Sequence, residues 1–132
     1  MALYNRGIAW RAKKKLDRAI TDFTRAIDVT PELAKANNNR GEAHAVKGEL
    51  DLAIKDFTRA IEIDPGLASV YNNRGESRHK KGDLAAAESD YRQALKLDPD
   101  FGKAYRLLSR LLNFSSMSAG GKKKKLPVRE GD

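Results

Sequence analysis

Cysteine is absent from this 132-residue chain. Its absence excludes disulfides, thiolate metal sites and cysteine nucleophiles, and fits a reducing compartment. No apolar run approaches the length a membrane helix needs, and the opening residues Met1–Gly7 lack a signal peptide's apolar segment. There is no glycine-rich phosphate loop and no nucleophile-elbow serine. The two histidines, His44 and His79, have no third ligand residue clustered with them in sequence, a poor start for a metal site. We therefore expect no enzyme activity, no metal and no cofactor, and a soluble, cytoplasmic protein without a membrane span.

What is present is charge. Lys and Arg number 26 against 18 Asp and Glu, a formal net charge of +8, while hydrophobic residues make up only 40%. Part of that charge lies in the last stretch, Phe114–Asp132, where Lys122–Lys125 and Arg129 stand against Glu130 and Asp132. A segment so rich in Ser, Gly and Lys cannot bury enough apolar surface to offset its ordering entropy, so residues 114–132 are expected to be a disordered, Lys-rich tail. The four lysines suggest a nucleic acid or another polyanion as an alternative partner. No aromatics interleave with them to stack on bases, which argues against nucleic acid.

Proline is scarce, with four in all, but three of them are periodic: Pro31, Pro65 and Pro99 are each 34 residues apart. The same interval links Gly7, Gly41 and Gly75; Ala19, Ala53 and Ala87; Phe23, Phe57 and Tyr91; and Ala26, Ala60 and Ala94. The chain is a tandem array. In the second unit, Ala34–Lys47 reads as a helix broken by Gly48. A second helix, Leu50–Ile63, follows with its apolar residues on one face. Asp64-Pro65 stops it, because proline disfavours the helical conformation in the residue before it. The first unit has Lys14 where the others have the inner glycine. Gly41 and Ala53 mark a close helix–helix approach, with Phe57 filling the remaining gap.

These residues resemble the tetratricopeptide repeat (TPR) motif: in the third unit Tyr71, Arg74-Gly75, Arg78, Ala87, Tyr91, Ala94 and Pro99. The second unit offers Asn37, Arg40-Gly41, His44, Ala53, Phe57, Ala60 and Pro65. The resemblance implies an all-α fold, an α-solenoid of three helix-turn-helix units at about 1–33, 34–67 and 68–101, with a capping helix at about 102–113. The first unit starts one residue inside a motif, a hint of a longer array.

Two departures repeat with the same period. Arg6, Arg40 and Arg74 replace the family's aliphatic residue before the glycine, and Asp22, Asp56 and Asp90 recur on the second helix. We expect an Arg–Asp pair between the helices of each unit, with a row of arginines facing an anionic ligand as the alternative.

The resemblance further implies a concave groove lined by the first helices, taking a peptide or protein segment. Helical spacing puts Lys35, Asn38, Asn39 and Glu42 on one face, with Ser69, Asn72, Asn73, Glu76 and His79 as their counterparts. Tyr4, Asn5, Ile8 and Arg11 come from the first unit, and Lys103 and Arg106 from the last helix. Asparagine both donates and accepts, which suits pairing with a peptide backbone. One TPR subfamily grips the C-terminal carboxylate of heat-shock chaperones with a Lys/Asn/Arg clamp. Here Asn39 matches the clamp's middle asparagine. Tyr4, Ile8, Ser69 and Asn73 occupy its other places, so carboxylate-clamp binding is not expected. Leu107, Leu108, Leu111, Leu112 and Phe114 promise a broad apolar surface on the final helix, and with it self-association through the terminal helices.

Overall fold

The computed structural model describes residues 1–118 and 126–127. Seven helices run along them: α1 (Ala2–Ala12), α2 (Leu16–Val29), α3 (Ala34–Val46), α4 (Leu50–Ile63), α5 (Ala68–Lys80), α6 (Leu84–Leu97) and α7 (Gly102–Ser118). Helices pair as α1 with α2, α3 with α4 and α5 with α6, while α2 also meets α3 and α6 meets α7. The chain divides into two compact units, Met1–Gly66 and Leu67–Asp132. Repeats pack on neighbours rather than around one pooled core, which permits such a division.

The turns follow the expected punctuation. Thr30, Asp64 and Asp98, each one residue before a proline, adopt extended backbone at φ −132°, −139° and −139° and end α2, α4 and α6. Between the helices of a pair, Gly48 and Gly82 sit at φ +81° and +86°. Lys14 takes the same left-handed place at φ +59°, where a side chain is strained. No side chain caps the N-terminus of α1 to α6. Helices this short are marginal alone, so packing holds them.

In the first unit Phe23 and Phe57 are fully buried with Ala19, Ala36, Ala43, Ala53 and Ala60. Burying each phenylalanine contributes roughly 1.5–3 kcal/mol. The glycines set the approach distance: a Cβ on Gly7 would lie 2.6 Å from Phe23 Cε1, and one on Gly41 2.7 Å from Phe57 Cε1. In the second unit Tyr91 plays the aromatic part, 2.8 Å from a Cβ on Gly75.

The Arg–Asp pairs are present in all three repeats, and each is two-pronged. Arg6 donates through Nε and Nη2 to Asp22 at 2.7 and 2.8 Å; Arg40 does the same to Asp56 at 2.9 and 2.8 Å, and Arg74 to Asp90 at 3.0 and 2.8 Å. This fork geometry is the strong form of the ion pair, and it lets the buried carboxylates Asp22, Asp56 and Asp90 persist in the interior.

The final helix departs from expectation. It runs to Ser118, five residues past the boundary read from the sequence. Leu108, Leu111 and Leu112 are buried with Tyr91, Ala94 and Leu95, so the apolar surface that motivated end-to-end self-association is mostly core. The leucines at these positions share the helix face that meets α6. Leu126 packs against the same cluster, although it lies in the segment expected to be disordered. Lys122–Lys125 and Arg129 lie outside the described residues.

Candidate functional site

The first helix of each pair was expected to turn one face to a groove. In the first unit that face is a hydrogen-bonded polar floor. Asn39 is buried, and its amide Nδ2 donates to Tyr4 Oη at 3.1 Å and to the Lys35 carbonyl at 2.8 Å. Arg11 Nη1 donates to Asn39 Oδ1 and also to Glu42 Oε2, the latter at 2.6 Å. Glu42 Oε1 in turn accepts from Asn38 Nδ2 at 3.1 Å. The chain Tyr4–Asn39–Arg11–Glu42–Asn38 locks α1 to α3. Asn5 and Lys35 stand exposed at its rim with Ile8, which is 36% exposed.

The second unit repeats part of this pattern. Asn72 Nδ2 donates to Glu76 Oε1 at 3.0 Å, and Lys103 Nζ lies 3.2 Å from the same carboxylate oxygen. Asn72 Oδ1 is buried, and among the described side chains it is the one buried polar atom without a hydrogen-bond partner. His79 Nδ1 lies 3.4 Å from Tyr91 Oη, with the two rings edge to face. Burial, and then the charges of Glu76 and Asp90, push the Tyr91 hydroxyl above its usual range, so it stays protonated. Ser69 and Arg106 are exposed and Asn73 is half-buried.

The asparagine row is therefore not a free ladder for a peptide. Asn39 and Asn72 are buried, and Asn39 has spent both its donors and its acceptor inside the fold, because Tyr4 and Arg11 reach it from α1. Asn5 is the exposed member of the row. The cations on these faces pair with the acids beside them, Arg11 with Glu42 and Lys103 with Glu76.

Residues 4–68 and 68–101 match models of the tetratricopeptide repeat. The chain belongs to the TPR family. Among solved structures it is similar to the second TPR domain of human RPAP3 in complex with the HSP70 peptide SGPTIEEVD. Identity there is 30%, over 83% of this chain and 91% of that one, with a TM-score of 0.80. The first TPR of Spaghetti (RPAP3), bound to the HSP90 peptide SRMEEVD, is similar at 25% identity, 90% and 92% coverage and a TM-score of 0.84. The OM64 TPR domain of Arabidopsis is similar at 27% identity, 86% and 93% coverage and a TM-score of 0.84. Among curated proteins none matches the chain. The TPR assignment makes this an all-α helical-repeat protein, and among the described residues no helix is long and apolar enough to cross a membrane.

One part of the TPR chain was not read as a site from its sequence. Between α1 and α2, Arg6, Trp10, Arg18 and Arg25 surround an open cavity of about 370 Å³ with Asp17, Thr21 and Asp22. The Arg18 guanidinium stacks 4.9 Å from the Trp10 ring centroid. Hydrogen bonding from Arg6, reinforced by its charge and that of Arg25, holds the Asp22 carboxyl below its usual range against the cost of burial. Trp10 stands where the later repeats carry His44 and Arg78, a break in the period visible in the sequence.

Proposed function

We propose that this TPR chain is a non-catalytic interaction module that binds an extended protein segment along the faces of its first helices α1 and α3. The observation that carries the reading is the polar floor Tyr4–Asn39–Arg11–Glu42, with Asn5, Ile8 and Lys35 exposed around it. The floor is fixed by its own hydrogen bonds, so a ligand meets a preorganised surface. The likeness to TPR domains solved with peptides supports the same class of ligand.

The segment is held along its length rather than by a terminal carboxylate. Tyr4, Ile8, Ser69 and Asn73 stand where the clamp resemblance calls for lysine, asparagine and arginine. Recognition then falls on the rim residues and on peptide backbone groups.

Fluorescence anisotropy with the peptide SGPTIEEVD and its C-terminal amide is the direct test. We expect amidation to change the affinity less than about threefold, and Ile8→Glu with Lys35→Glu to weaken binding about tenfold or more. A peptide that binds tightly only with a free carboxylate overturns the lengthwise reading. Failure of the rim variant to alter binding overturns the site.

A further inference from the structure

The three repeats differ in a pair of positions that otherwise keep the period. Four residues past the packing glycine stand Arg11, Ala45 and His79, and the aromatic of the second helix is Phe23, Phe57 and Tyr91 in turn. Phenylalanine fills that place in two repeats, so packing alone does not call for a hydroxyl. Tyr91 is fully buried, and a buried hydroxyl costs free energy unless it is hydrogen-bonded. Its partner is His79 Nδ1, 3.4 Å away, with the rings edge to face. The tyrosine and the histidine therefore belong together, and the third repeat alone carries them.

The hydroxyl decides how the histidine presents itself. Among the described residues His79 Nδ1 is the one hydrogen-bond partner of Tyr91 Oη, so the phenol donates there rather than leave a buried donor unmet. In the neutral ring Nδ1 then accepts and Nε2 carries the proton. Nε2 has no partner among the described residues, and it is not buried, because the one buried polar atom without a partner there is Asn72 Oδ1. The ring lines a cavity of about 240 Å³ with Glu76, Lys80, Tyr91 and Leu107. Lys80 is exposed and forms no ion pair among the described residues. The Glu76 carboxylate is already met by Asn72 Nδ2 at 3.0 Å and by Lys103 Nζ at 3.2 Å. Leu107, half-buried, is the apolar wall.

We propose that this cavity, lined from α5, α6 and α7, binds a glutamate side chain of a partner segment. The Nε2–H of His79 and the Lys80 ammonium are its two donors, and Leu107 takes the methylene stem. Tyr91 acts through His79, as a positioning residue that fixes the tautomer. A carboxylate is the matching chemistry, because both unpaired groups are donors and the charge of Glu76 is offset by Lys103. The site is built wholly from the second compact unit, so it stands or falls independently of the α1–α3 surface.

The probe is hexaglutamate with acetylated and amidated ends, and hexaglutamine is its uncharged counterpart. NMR spectra are expected to show saturable shifts at Glu76, His79, Lys80 and Leu107 with hexaglutamate, and binding about tenfold or more weaker with hexaglutamine. Long-range nitrogen–proton spectra of the free protein are expected to show the neutral His79 ring protonated at Nε2. Tyr91→Phe installs the residue the other repeats carry, so the fold is kept, yet the tautomers mix and the affinity falls about threefold or more. His79→Ala, with the residue of the second repeat, weakens binding about tenfold. Far-UV circular dichroism of each variant verifies the fold. A neutral ring protonated at Nδ1 overturns the proposal. So do equal affinities for the two peptides, unchanged affinity in His79→Ala, or shifts confined to Lys122–Lys125. Shifts confined to Tyr4, Asn5, Ile8 and Lys35 remove this site and leave the α1–α3 surface standing.

Discussion

The first repeat and its successors carry the same Arg–Asp fork in different surroundings. Arg6 reaches Asp22 with its side chain 55% exposed, whereas Arg40 is 21% exposed and lies beside Thr24 of α2. In the third repeat Asp90 receives two arginines, Arg74 and Arg78 Nη1, the latter at 2.9 Å, and these are 14% and 25% exposed. One motif therefore has graded worth. Where neighbours exclude water the fork holds the interior together, and where one side is open it also leaves a charged surface.

That gradient can be broken at its strong end. Asp90→Ala leaves two half-buried guanidiniums without their carboxylate, and we expect a loss of about 3–5 kcal/mol in urea unfolding. Asp22→Ala, in the same measurement, costs clearly less because Arg6 turns to water. Equal losses at the two sites would remove the distinction between the repeats.

A smaller effect comes from the close approaches. Gly41→Ala pushes a methyl into the Phe57 ring and the Ala53 carbonyl, the latter 3.2 Å away, and should cost about 1–3 kcal/mol. Gly7→Ala meets Phe23 just as closely, but among the described residues α1 packs only on α2 and α3 and can retreat. The thermal midpoint of Gly7→Ala should therefore fall less than that of Gly41→Ala.

The first repeat can also be improved. Lys14 holds a left-handed conformation that glycine holds in the other two turns, so Lys14→Gly should raise stability by about 1 kcal/mol. No gain in the unfolding midpoint would mean that the lysine is not strained there.

The least of the effects depends on pH. Asp22 has its folded-state value lowered by Arg6, so its contribution is present above the unfolded-state value near about 4 and is lost as pH falls through the lowered folded one. Stability curves of the wild type and Arg6→Ala should converge as pH drops from about 4 towards 2. Glu49, lowered mainly by its hydrogen bond with His44, adds to the same acid loss in both proteins. Curves that stay parallel would show that the first fork contributes no acid sensitivity.

Much of the fold was legible because it repeats. Identical residues at a 34-residue interval report the helix pairs, their proline stops and their glycine turns, and the period of Arg and Asp reported the forks. The candidate groove was less legible. Helical spacing places Asn39 on a face, but its burial depends on Tyr4 and Arg11, which arrive from another helix 35 and 28 residues away. Likewise Leu108, Leu111 and Leu112 read as a surface because nothing in their spacing states that α6 covers them.

By itself, then, the sequence determined the repeat, the helical class, the turn positions and the pairing of arginine with aspartate, because each follows from local backbone preference and a fixed period. Only the tertiary structure decided which polar side chains are spent inside the fold and which leucines are core. Burial belongs to a residue's neighbours in space, and the period that reveals the repeats is the same whether a face is covered or bare.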